Sequence, residues 1–274
     1  MIDLHLHTTA SDGVHDPAAL VARARAVGLT IIGVADHDTM SAVPDLERET
    51  RAAGIGFVPG IEITAAWQGR DIHVLGYFLD HRSPMLMAFL SSQRDDRVRR
   101  ARLVAERLAA LGVPIDVEPI IAGSMGRPVS RPDIARALVD AGHTLSVQDA
   151  FDRFLGEDKP AFVPRSGVSP AGAVRTILDA GGIASLAHPG ITRQDPLIPE
   201  LAAAGLGALE VYHPDHTAAD AARYLAMARQ LQLGVTGGSD YHGEGSHHAS
   251  GFGTVELPAS DFAELCRRAG RSVA

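Results

Sequence analysis

Cysteine is all but absent: Cys266 stands alone among 274 residues. That excludes a disulfide framework and a cysteine-based zinc site, and it suits a reducing compartment. Long apolar runs are missing as well, since none approaches the ~20 residues a membrane helix needs. Met1 leads straight into a strand-like segment without a basic-then-apolar leader, so a soluble, cytoplasmic protein is expected. Positive charge is scarce. The formal net charge is −8, and Lys159 is the only lysine. A broad basic surface for duplex nucleic acid is therefore not expected, whereas a small anion held by a few arginines is compatible with this balance. No obligate protein partner is indicated.

What the chain does have is histidine, 13 in all, and apolar residues at 46%, enough for a sizeable core. Ile2-Asp3-Leu4-His5-Leu6-His7 alternates apolar and polar side chains with period two and reads as a strand. His5 and His7 therefore project from one face, and imidazole is a common metal ligand. Asp12 follows after a short turn. The same signal recurs along the chain. His5, His7, Asp12, His37, Glu62, His73, His188, Asp240 and His242 all sit at or just after short apolar runs.

The rhythm between them is strand, helix, strand. Helices are expected over Pro17 to Val27 and Pro44 to Ala53, each followed by glycine. Continuous apolar strands are expected at 30–35 and 56–61, and a further strand at 71–78 carries His73. Sequential units of this kind build a parallel sheet. Chemistry in α/β barrels gathers at the C-terminal strand ends, where these residues fall. From Arg82 to about Arg165 no buried strand is evident. Helices are expected at Met85 to Leu111, Pro132 to Asp140 and Val147 to Leu155. The first carries a stripe of arginines that reads as a solvated face, whereas Arg131 stands at a helix start, where anions bind readily. The strand–helix rhythm resumes at Pro170, with strands at 183–187, 209–212 and 234–239 and a last short one at 251–257. About seven barrel strands result. Residues 1–81 and 166–274 are expected to form the barrel domain, with 82–165 a helical insertion covering the active site.

Mixed histidine and carboxylate sets without cysteine suit zinc, manganese or iron in hydrolytic centres. Nine candidates exceed the needs of one ion, and a bridging carboxylate joins ions in centres that act on phosphoryl oxygens.

His5-x-His7, Asp12, Asp36-His37-Asp38, Gly60-Ile61-Glu62, His188-Pro189 and Asp240-x-His242 together resemble the motifs of the PHP (polymerase and histidinol phosphatase) family, within the amidohydrolase-like metal hydrolases. Arg131-Pro132-Asp133 and Lys159-Pro160-Ala161-Phe162-Val163 in the insertion are similar to the branch holding the 3′,5′-nucleoside bisphosphate phosphatase and the 5′-to-3′ exoribonuclease. The resemblance implies a distorted (β/α)7 barrel with three metal positions. One takes His5, His7, Glu62 and Asp240. A second takes Asp12, His37 and His242. A third takes His73 and His188, with Glu62 bridging it to the first. Some members have histidine where this chain has Asp12, which favours manganese beside zinc or iron.

The expected activity is hydrolysis of the 3′-phosphate of nucleoside 3′,5′-bisphosphates by a metal-bridging hydroxide, together with trimming of short 5′-phosphorylated RNA. Asp240, His188 and Glu62 are the expected catalytic residues. Arg131, Lys159 and His213 are candidates for holding the phosphate that is not cleaved. Asp36 and Asp38 support ligands from behind or cap their turn, and Glu210 stands outside the ligand set. Alternatives are a histidinol-phosphate-type phosphomonoesterase and a degenerate structural domain. Amide hydrolysis is disfavoured, because related barrels bridge their metals with a lysine and Lys159 lies in the insertion.

Overall fold

The computed structural model describes residues 1–124 and 127–272. Two compact units emerge. The first comprises Met1–Ala65, Ile72–Ala88 and Val168–Ala274, and the second Ala66–Asp71 and Phe89–Gly167.

The first unit begins with β1 (Ile2–Leu6), α1 (Pro17–Ala26), β2 (Ile31–Val34), α2 (Val43–Ala53), β3 (Gly56–Trp67) and β4 (Arg70–Tyr77). Local chemistry sets the helix limits. Asp16 caps α1 by accepting from the backbone N–H of Ala19, with Pro17 at the first turn, and Gly54 ends α2 in the left-handed conformation. α3 (Pro84–Ala110) carries the chain into the second unit. There α4 (Glu118–Gly123), α5 (Arg131–Asp140), α6 (Val147–Ala150) and a π-helical turn (Phe151–Leu155) pack around Val104, Leu108, Ile134, Leu138, Phe154 and Leu155.

The first unit resumes with α7 (Pro170–Asp179), β5 (Ile183–Leu186), α8 (Pro189–Thr192), α9 (Leu197–Ala203), β6 (Ala208–Tyr212), α10 (Ala218–Gln230), β7 (Gly234–Gly237) and α11 (Ala259–Arg268). Seven strands form one sheet in chain order. β1–β2, β2–β3, β5–β6 and β6–β7 are parallel. A parallel bridge between Leu6 and Tyr241, with His7 N–H donating to the Tyr241 carbonyl at 3.1 Å, brings the last segment beside β1 and nearly closes the barrel. Ile2, Leu4, Val58, Leu75 and Tyr77 share one core with Phe262 and Leu265 of α11. Leu20, Val21, Ile32 and Leu46 form another beneath α1 and α2.

Two strand expectations are corrected. β4 is not a further parallel strand: it runs antiparallel to β5. Only Gln68 and Gly69 separate it from β3, both with positive φ (48° and 82°). Two residues make a hairpin turn and are too few for a parallel crossover. The reversal has a functional result. His73 lies near the start of β4, and so at the end of the barrel where the parallel strands finish. The segment 251–257 forms no strand; a 3-10 turn at Ala249–Gly251 precedes it.

Close packing under β1 yields a direct test. A methyl group on Gly238 would fall 2.3 Å from both Cβ and the backbone nitrogen of His5. Gly238→Ala is expected to cost about 1–3 kcal/mol or more through forced displacement of β1. Urea unfolding would measure this, and unchanged stability would refute the packing account.

Candidate metal centre

The candidate ligands gather at one end of the first unit. β1 points His5 and His7 inward, the β1–α1 loop supplies Asp12, and the chain leaving β2 supplies His37. β3 and β4 supply Glu62 and His73, and the turns after β5 and β7 supply His188, Asp240 and His242. Backbone pairing sets the positions. Asp38 N–H donates to the Glu62 carbonyl and Glu62 N–H to the Asp36 carbonyl, at 3.0 and 3.2 Å, so His37 and Glu62 lie side by side. Ala187 N–H donates to the His73 carbonyl at 3.1 Å, which brings His73 beside His188.

Two tight groups and a third adjoining one result. His5, His7, Glu62 and Asp240 form the first and are all buried. Glu62 Oε2 lies 3.4 Å from His5 Nε2 and 3.3 Å from His7 Nε2, and Asp240 Oδ1 lies 3.4 and 3.1 Å from the same atoms. The second consists of His7, Asp12, His37 and His242. His242 Nε2 is 3.2 Å from Asp12 Oδ1 and His37 Nε2 is 3.8 Å from Asp12 Oδ2. The third is His37, Glu62 and His73. The other oxygen of Glu62 lies 2.7 Å from His73 Nδ1, and His188 Nε2, outside that group, is 3.3 Å from the same oxygen. Glu62 thus stands between histidines on both sides.

Whether these residues suit cations can be judged from their unused atoms. His5 Nε2, both ring nitrogens of His7, His37 Nδ1, Asp12 Oδ1 and Glu62 Oε2 are buried without a hydrogen bond. Buried polar atoms are normally satisfied. Here the ligand atoms of each group lie within 4.8 Å of one another, close enough to share a divalent ion. The charges are strongly coupled. Burial lowers His5 and His242, yet Glu210, Asp240 and Glu62 lift His5 well above the ordinary imidazole value, and Asp12 with Asp240 lifts His242 to about 10, so an ion would have to displace their protons. Burial opposes ionisation of Glu62, yet His37, His73 and His5 hold its carboxyl well below the usual range. Burial pushes His37 down to about 3 despite the pull of Glu62 and Asp12, leaving its imidazole neutral and able to ligate.

Supporting residues lie behind the ligands. Glu210 is fully buried; its Oε1 accepts from His5 Nδ1 at 3.0 Å and its Oε2 from the His188 N–H at 2.7 Å. Such a carboxylate fixes an imidazole's orientation and leaves the opposite nitrogen for a metal. Asp36 accepts from the Thr8 N–H, the Thr8 hydroxyl and the Ser11 hydroxyl, which holds the loop carrying Asp12. Asp38 Oδ1 accepts from the Thr64 N–H at 3.0 Å. Asp38, His188 and Asp240 all have positive φ (50°, 26° and 52°), a backbone cost of about 1–3 kcal/mol each for non-glycine residues. Glu210 lies outside the ligand set drawn from the sequence, and His248, 3.1 Å from Asp240 Oδ2, was not singled out there. A glutamate in the middle of the apolar strand Ala-Leu-Glu-Val-Tyr was the available signal for the first. Nothing in the local pattern marked the second.

His213 is buried beside this centre, its Nε2 3.6 Å from Asp240 Oδ2. Arg131 and Lys159 belong to the second unit. Arg131 opens α5 behind a capping box made by Ser130 and Asp133, and its guanidinium lies 3.2 Å from Asp71 and against the Phe151 and Phe162 rings. Lys159 is exposed in the turn after the π-helix.

Residues 3–121 match the PHP domain model. The chain is 34% identical over 247 residues to a 5′-3′ exoribonuclease, Rnm, of Escherichia coli (strain K12), covering 88% of this chain and 84% of that one. The chain belongs to the PHP family. A 3′,5′-nucleoside bisphosphate phosphatase of Chromobacterium violaceum is 32% identical over 267 residues, 94% of this chain and 92% of the relative. Among solved structures, an amidohydrolase from Chromobacterium violaceum, with bound sulfate and no metal, superposes with a TM-score of 0.83 at 31% identity, covering 97% of this chain and 96% of that one. As a PHP-family member, the chain is a metal-dependent phosphoric ester hydrolase that uses divalent cations, and the degenerate structural reading falls away. Among the described residues, no helix is long and apolar enough to cross a membrane.

Proposed function

We propose that this PHP chain removes the 3′-phosphate from nucleoside 3′,5′-bisphosphates and that the same centre trims short 5′-phosphorylated RNA from its 5′ end. The observation that carries the reading is the position of Glu62, with one oxygen facing His5, His7 and His37 and the other facing His73 and His188. The similarity to relatives named for both activities supports the substrate class.

In this reading His5, His7, Glu62 and Asp240 hold one ion, Asp12, His37 and His242 a second, and His73, His188 and Glu62 a third. Manganese is the preferred metal. Bound divalent ions polarise phosphoryl oxygens and lower the pKa of water enough to supply a nucleophile. The chain's own groups do the rest. Glu62 and Asp240 provide the negative charge that keeps the ions in a buried pocket, and His188 lines the side facing the third position. Asp240 Oδ1 faces His5 and His7, while Oδ2 faces His213 and His248. That outer oxygen is our candidate for handling the proton of the departing 3′-oxygen. His213 is proposed to hold the phosphate that is not cleaved.

The test is phosphate release by manganese-loaded protein from adenosine 3′,5′-bisphosphate and histidinol phosphate, and release of mononucleotides from a 5′-phosphorylated RNA dinucleotide, with a chelator-treated control. Rapid release from the bisphosphate, yielding AMP and abolished by chelation, is expected. Preference for histidinol phosphate would overturn the substrate assignment.

A further inference from the structure

Outside the ligand set assigned above, Asp215, His247 and His248 form a second constellation at the surface of the first unit. Asp215 lies just beyond β6, and the two histidines lie in the loop that follows His242. Asp215 Oδ1 is 3.0 Å from His247 Nε2, and Oδ2 is 2.9 Å from His248 Nε2. The two imidazoles are 4.9 Å apart with their planes at 68°, so their nitrogens approach the carboxylate from different directions. The other nitrogen of His248, Nδ1, is 3.1 Å from Asp240 Oδ2. Without an ion, Nε2 of each imidazole donates to one oxygen of Asp215, and a divalent ion at this point would take the place of those protons. Asp240 behind Nδ1 fixes the His248 ring with Nε2 directed to the Asp215 side, the way carboxylates orient metal-ligating histidines.

We propose that Asp215, His247 and His248 form a separate binding site for a divalent transition ion, with zinc as the best match. Two imidazoles and one carboxylate, with room for water in the fourth position, suit zinc's tetrahedral preference. The His247 side chain is 79% exposed, so an ion reaches the site from solvent without entering the barrel. The bound ion would tie the loop after His242 to the segment after β6. This inference does not rest on the substrate proposal: Asp215 and His247 take no part in it, and His248 meets it only through Asp240 Oδ2.

The experiment loads the full chain with manganese, adds zinc and measures both metals per chain after gel filtration. A zinc titration against a chelating dye gives the affinity. His247→Ala and Asp215→Asn are each expected to retain one zinc fewer per chain than the wild type, or to bind it at least tenfold more weakly, with manganese content unchanged. His247 is exposed, so its variant is expected to fold normally. Equal zinc content and affinity in all three proteins would overturn the site and leave the three residues as hydrogen-bonded neighbours. Loss of manganese along with zinc would overturn its separateness. A His7→Ala chain provides the converse: it is expected to keep the peripheral zinc while losing manganese from the barrel, so failure of the barrel assignment is seen independently.

Discussion

Glu62→Gln is expected to lower kcat/KM for phosphate release by at least about a thousandfold, equivalent to ~4 kcal/mol of transition-state stabilisation. The substitution keeps the volume of the side chain and removes only its charge and one ligating oxygen. Those are the features the site uses. Glu62 Oε2 faces His5, His7 and His37 at 3.4, 3.3 and 3.1 Å, and Oε1 faces His73 and His188 at 2.7 and 3.3 Å. A glutamine amide nitrogen cannot ligate a cation, so one of these sides is left without its carboxylate oxygen. Metal content per chain should fall along with activity, and excess manganese should restore only a small part of the rate. A variant that kept full metal content and lost less than tenfold in rate would show that Glu62 does not join the clusters.

The second large effect is expected at Glu210, which touches no proposed ion. Its two oxygens hold His5 Nδ1 and the His188 N–H. Glutamine has a single acceptor oxygen, so Glu210→Gln satisfies one of these donors and leaves the other unpaired in a buried site. Loss of such a support typically costs 10–100-fold in metal affinity or activity. The manganese concentration giving half-maximal activity should rise by about that factor, while kcat at saturating manganese recovers to near the wild-type value. A merely structural role would instead lower thermal stability and leave the metal dependence unmoved. The wild-type environment reinforces the expectation. Burial works against ionisation of Glu210, yet His5, His213 and His188 keep its carboxyl below the usual range.

Most of the candidate cluster was legible because its residues carry a positional mark. His5 and His7 share a strand face, and His37, Glu62, His188, Asp240 and His242 each close a short apolar run. Period and run length alone make those placements readable. Glu210 was harder to place because a polar residue within a strand usually faces solvent. Only the parallel pairing of β6 between β5 and β7 shows that its carboxylate points into the barrel. The reversed direction of β4 was missed for a different reason. The strand–helix alternation on either side set the expectation, while the deciding signal was the two-residue Gln68-Gly69 connection, a local feature that outranks the surrounding rhythm. His248 had no pattern to betray it, since loops carry no periodicity.

That short connection has a further consequence. Side chains on a strand alternate between faces, so the number of residues in the turn fixes which face of β4 looks into the barrel. With two residues in the turn, His73 lies 2.7 Å from Glu62. If an added residue were absorbed as a one-place slip of β4 against its neighbours, His73 would exchange places with Ile72 or Val74, and an aliphatic side chain would meet the carboxylate. The hairpin therefore acts as a register lock on the centre. In this chain its length sets whether the strand presents an imidazole or a hydrocarbon to Glu62.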